Sequence, residues 1–249
     1  MIKIIVIIFA FITFLFVINK YIKEEFAIKT DVKFLTYEET QKFLYNDPDG
    51  YITNLSPTDL YARGVNDPLE YIQNIVKNVA TFSEEDKKLF NSISLKADEL
   101  LKNEKEFCNI SDIPWVFAMT KDNHYEEGLP HTRANIIFVS SSIDRRESEL
   151  LRTLIHEKLH IYQRMYPEKI AQYLEANGYK RWKQRLGQPR IRANPDLDPW
   201  IYIDPKTNNP MAYYYSSDTP NGITDIVFNR DYEHPFEKIA YEISEKYYM

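Results

Sequence analysis

The chain has 249 residues, 44% hydrophobic and 27% charged, proportions that suit one folded domain of ordinary to large size and exclude whole-chain disorder. Lysine and arginine total 31 against 37 acidic residues, a net charge of −6 with no long basic run, so no nucleic-acid partner is expected. The one cysteine, Cys108, excludes an internal disulfide and a cysteine-built zinc site, and is expected as a small buried apolar residue.

The chain opens on an apolar run, residues 2–18, broken only by Lys3 and Thr13. As a helix rising ~1.5 Å per residue, residues 1–18 would cover ~27 Å, near the minimum for spanning a bilayer. A cleaved signal peptide needs small residues before its cleavage site, and Asn19-Lys20-Tyr21-Ile22-Lys23-Glu24-Glu25-Phe26 offers none. The expectation is a single-pass, uncleaved transmembrane helix at 1–19 and a charged connector at 20–33. One domain follows at 34–249, with a helical N-terminal part at 34–110 and a catalytic part at 111–249. Positive charges lie on both sides of the run, Lys3 before it and Lys20, Lys23 and Lys29 after it, so the side of the membrane stays open.

Four helix starts mark the first half of the domain. Thr36 precedes Tyr37-Glu38-Glu39, with Phe43 and Leu44 further on. Ser56-Pro57-Thr58-Asp59 and Asp67-Pro68-Leu69-Glu70 each place a capping side chain before a proline at the first helical position. Ser83-Glu84-Glu85-Asp86 opens a helix running through Leu89, Phe90, Ile93, Leu100 and Leu101. These segments are expected to pack as a small helical cluster. Two strand candidates follow, Trp115 to Met119 and Ala134 to Ser140, both short, apolar and bounded by polar residues. A cap-like acid at Asp144, with Glu147 three residues on, predicts a helix to about Tyr166, where Pro167 interrupts it. Residues 168–186 read as a further helix. From 187 to 232 the chain is rich in proline, asparagine and tyrosine and reads as loops with short strands at 200–203 and 223–228. A last helix is expected from Pro235 to about Tyr247.

The chemistry concentrates in His156-Glu157-Lys158-Leu159-His160. Four residues turn a helix by about 400°, so both imidazoles sit on one face, a turn apart, where they can share one metal ion. Glu157 lies beside them as the general acid/base for a water activated by zinc. A catalytic zinc needs three protein ligands and an open position. Tyr166 stands where a third histidine would follow at short spacing, so the third ligand must be distant. Glu237 is chosen: it falls in the first turn after Pro235, and Ala240 and Tyr241 share its face. Ala240 would allow close approach to the zinc helix, and Phe236, Ile239, Ala240 and Ile243 supply an apolar stripe. Glu242 is the runner-up but points about 140° away from Glu237 on an ideal helix; Glu233 and His234 are further alternatives. Weaker candidates are His131, Tyr202 and Tyr213 to Tyr215 for oxyanion stabilisation, and Arg190, Arg192 and Asp196 for holding substrate.

With Glu237 in Glu237-Lys238-Ile239-Ala240-Tyr241, the histidine motif resembles the zincin superfamily of metallopeptidases, of the gluzincin type in which a distal glutamate completes the site. The resemblance covers residues 135–247 and departs from compact members in that His160 and Glu237 stand 77 positions apart. It implies an α+β, zincin-like domain, helix-rich with a small sheet, one Zn2+ per chain, and a peptide or protein substrate laid along a strand that edges the cleft, a place Ala134 to Ser140 would fill. The function expected is that of a membrane-anchored zinc metallopeptidase. The alternative is a non-catalytic anchored protein, with a structural zinc site that a fourth ligand such as His234 would complete, or with a decayed peptidase fold used for interactions. Nothing in the sequence sets the oligomeric state.

Overall fold

The computed structural model describes residues 32–185, 188, 190–227 and 232–248. The apolar run at 2–18 lies outside them; among the described residues no helix is long and apolar enough to cross a membrane.

The chain from Val32 onward forms one unit of mixed α and β structure. Strand β1 (Val32–Phe34) begins within the stretch read as connector. Three short helices follow, α1 (Tyr37–Asn46), α2 (Pro57–Ala62) and α3 (Pro68–Lys77), then β2 (Val79–Ala80) and the longer α4 (Glu84–Leu101). Their starts are fixed by local chemistry: Thr36, Ser56 and Ser83 each accept from the N–H three residues on, and the acid there returns the bond to the cap N–H. Next come β3 (Trp115–Thr120), β4 (His131–Arg133) and β5 (Ile136–Ser140), then α5 (Glu147–Met165) and α6 (Pro167–Ala176). The C-terminal third holds β6 (Lys180–Gln184), β7 (Trp200–Ile203), β8 (Pro210–Met211), β9 (Tyr214–Tyr215), β10 (Ile226–Val227) and α7 (Pro235–Glu245).

The main sheet runs β1-β3-β5-β4, with β2 also paired to β3. β1, β3 and β5 are parallel; β4 closes one edge antiparallel to β5. Alternation along the central strands divides the core in two. Phe117, Met119, Ile137 and Val139 join residues of α4, α5 and α7, whereas Ala118, Ile136 and Phe138 join residues of α1 and α3. The motif helix α5 is thereby seated against the sheet on one side and α7 on the other. Lys158, in the middle of the motif, is fully buried: it donates to Asp98 of α4 and lies 4.1 Å from the Trp115 ring. Ala240 is fully buried in α7, and the Gln163 amide of α5 donates to Phe236 O at 3.1 Å, tying the two helices together.

Four expectations are corrected. The strand expected from Ala134 starts at Ile136, because Ala134 (φ 51°) and Asn135 form the β4–β5 turn; the sheet edge is β4, and β5 is internal. Asp144 does not cap α5: it accepts from Arg146 N at 2.9 Å, and the helix begins three residues later without a side-chain cap. The helix expected over 168–186 stops at Ala176, because Gly178 takes φ +82° and ends it in the left-handed conformation. The residues beyond form β6, paired antiparallel with β7. Cys108 is exposed rather than buried, its Sγ–H donating to Lys105 O at 3.0 Å.

Candidate metal centre

His156 and His160 project from one face of α5, and Glu237 meets them from the first turn of α7. Their ligand atoms all lie within 4.8 Å of one another. His156 Nε2 is 3.0 Å from His160 Nε2 and 3.3 Å from Glu237 Oε2; His160 Nε2 is 3.8 Å from the same oxygen. Two donors each ~2.05 Å from a tetrahedral zinc stand about 3.3 Å apart, so two imidazole nitrogens and a carboxylate oxygen at these spacings fit that ion.

Neighbouring side chains orient each donor. The Gln163 amide nitrogen donates to Phe236 O, so Gln163 Oε1 accepts the Nδ1–H of His160 at 2.9 Å. That fixes the tautomer and leaves the Nε2 lone pair facing the cluster. Burial pushes His160 below the usual histidine range against the pull of Asp196 and Glu237. Asn194 donates to Glu237 Oε1 at 2.8 Å, turning Oε2 toward the histidines. Burial alone would raise the Glu237 carboxyl, but His160, His156 and Asn194 together hold it far below the ordinary value.

Glu157 lies in a cavity of about 360 Å³ that His156 and Glu237 also line. Its carboxylate is buried and Oε2 has no hydrogen-bond partner. Burial, with Asp196 and Glu237 nearby, pushes this carboxyl well above the usual range, while Arg164 pulls the other way.

The remaining candidates separate cleanly. His234 is fully buried with both ring nitrogens engaged: Nδ1 accepts from Phe236 N at 3.1 Å and caps α7, and Nε2–H donates to Asp198 at 3.1 Å. Glu233 pairs with Arg192, and Glu242 is exposed. His131 and Tyr213 line the cavity; Tyr202 bonds Asp198 and Tyr215 bonds Asp59 instead. Tyr214 is exposed and absent from the lining. His131 donates its Nδ1–H to Leu129 O at 2.9 Å, so the neutral ring presents a bare Nε2 and cannot donate to an oxyanion. Burial depresses its basicity and keeps it neutral despite Glu126 and Asp196. Arg192 and Asp196 line the cavity, whereas Arg190 holds the carbonyls of Tyr215 and Ser216.

Sequence reasoning missed three contributors. Gln163, three residues past His160 on the same face, was within reach of the periodicity argument. Tyr241, considered only for packing, sets its ring 4.5 Å from that of His156 and lines the cavity. Asn194 carried no signal at all. Searches against protein families, curated proteins and solved structures find no match for the chain.

Proposed function

We propose that this chain is a zinc metallopeptidase tethered to a membrane through its apolar N-terminal run. His156, His160 and Glu237 would hold one zinc ion, with Glu157 as general acid/base. The observation that carries the reading is the Glu157 carboxylate, buried with its Oε2 unpartnered on the wall of a cavity that two of the three donors share. A buried acid whose affinity for protons is raised beside such a cluster is the kind of group that takes and returns a proton. Bound in the cluster, zinc would lower the pKa of a coordinated water to about 7 and polarise a carbonyl. Glu157, on the cavity wall, would accept a proton from a water there and return it to the departing amine. Asn194 and Gln163 keep the donors aimed.

Two features support this reading over a structural zinc site. Among the described residues the donor cluster has three members, and His234, the fourth ligand a closed site would want, is committed elsewhere. The Glu157 carboxylate, a proton acceptor that a structural zinc site has no use for, also lines the cavity beside the cluster.

The test is cleavage of casein and of a peptide library by the full-length chain in nonionic detergent. Cleavage should stop on chelation and return with zinc. Stoichiometric zinc without any cleavage would overturn peptide hydrolysis and favour the structural-zinc alternative. Asn194→Ala should weaken zinc binding by about 10–100-fold, the usual cost of losing an outer-shell partner, in a competition titration against a chromogenic chelator.

A further inference from the structure

The outward edge of β4, where an extended peptide would be expected to pair, is already occupied by the protein's own chain. In an antiparallel pair, alternate residues aim their main-chain groups toward the partner strand and away from it. His131, Thr132 and Arg133 stand opposite Phe138, Ile137 and Ile136. The Thr132 N–H donates to Asp196 Oδ1 at 2.6 Å, which marks Thr132 as the outward residue of this three-residue strand. Its carbonyl accepts from Arg164 at 3.5 Å, and its hydroxyl donates to the same Asp196 oxygen at 2.6 Å. Just before the strand, Pro130 has no N–H, the Leu129 N–H donates to Glu126 O at 3.0 Å, and the Leu129 carbonyl accepts from His131.

The covering segment, residues 194–196, is tied to the metal centre. Arg164 donates to Pro195 O at 3.0 Å. The Asp196 N–H donates to Asn194 Oδ1 at 2.9 Å, and the Asn194 amide holds Glu237. Swinging the segment off β4 would therefore take the Asn194 amide away from the Glu237 carboxylate it orients, so a closed edge and an aimed third donor belong to one arrangement. Asn194, Pro195 and Asp196 also form one wall of the cavity. At about 360 Å³ the cavity is at the small end of the ~300–1,000 Å³ typical of ligand sites.

We infer that the site takes the end of a peptide chain, or a short peptide, rather than the middle of an extended chain. Strand addition draws its affinity from main-chain hydrogen bonds at a sheet edge, and those of Thr132 are spent internally. The inference rests on the metallopeptidase reading and specifies its substrate.

The zinc-loaded full-length chain is given peptides of about ten residues, roughly 33 Å when extended. One set has free ends and the other is acetylated and amidated; products are mapped by mass spectrometry, with Glu157→Gln as the blank. The expected products come from cuts close to one end. Blocking both ends should slow turnover about a hundredfold, the cost of displacing the scissile bond by about an ångström. Internal cuts in the blocked peptides, at rates like those of the free ones, would overturn the end requirement while leaving the hydrolase reading intact. Zinc-dependent cleavage of neither set would defeat the hydrolase reading itself, and this inference with it.

Discussion

Glu157→Gln should abolish peptide cleavage, by about 10²–10⁴-fold in kcat, while zinc content stays unchanged. Glutamine keeps the shape of the side chain but cannot accept a proton, and Glu157 is not among the three donors. The substitution also removes a charge from a buried position where Asp196 and Glu237 already disfavour it. The unfolding midpoint should accordingly hold or rise as activity falls, the trade expected where a strained group is kept for function. Kinetics, metal analysis and denaturant melts on the same preparation check all three. Full activity in Glu157→Gln would assign the general base to another residue.

Arg133→Ala should be the most damaging single change to stability outside the cluster. The Arg133 guanidinium is fully buried at the end of β4, where Nε donates to both Asp49 oxygens, at 3.0 and 2.8 Å. Nη2 reaches Asp47 at 2.5 Å and also pairs with Asp49, and Nη1 donates to Tyr125 OH at 2.7 Å. The Phe43 and Tyr51 rings lie 5.3 and 5.1 Å from the cation. This residue joins the edge strand beside the cavity to the loop after α1. Removing it leaves the buried Asp47 carboxylate with its Ile52 and Thr53 donors but without the Arg133 cation, and breaking a buried pair from one side costs about 3–5 kcal/mol. At ~2–4 °C per kcal/mol for a chain of this size, Tm should fall by roughly 6–20 °C. Lysine should restore only part of the loss, because a point charge cannot make the forked contacts. A melt within a degree of wild type would show that the network contributes little.

What the sequence made legible follows the range of the interactions. Helix starts were readable because a cap and its partner lie within four residues, as at Ser56 with Asp59. His156 and His160 were readable because helical periodicity alone puts them on one face. Glu237 needed one longer step, from Pro235 as a helix start and Ala240 as a site of close approach. The end of α6 was written in Asn177-Gly178, a left-handed stop that the apolar spacing beyond it obscured. β4 is three residues long and reads as part of a turn, so the true sheet edge was hidden. Asn194 and Asp196 sit in a loop with no period, and only the folded chain shows that one holds Glu237 while the other closes β4. The apolar run at 2–18 lies outside the described residues, and the tether proposed for it is read from composition and length.

Three side chains, His156, His160 and Glu237, are proposed to hold the metal without a fourth protein ligand. Zinc content and affinity of the folded chain, measured beside Glu237→Ala and Glu242→Ala, decide this. One zinc per chain is expected in the wild type and in Glu242→Ala, and affinity weakened by at least about tenfold in Glu237→Ala, whose open position water alone would fill. A folded wild-type chain without zinc, or a Glu237→Ala variant that binds as tightly, would contradict it.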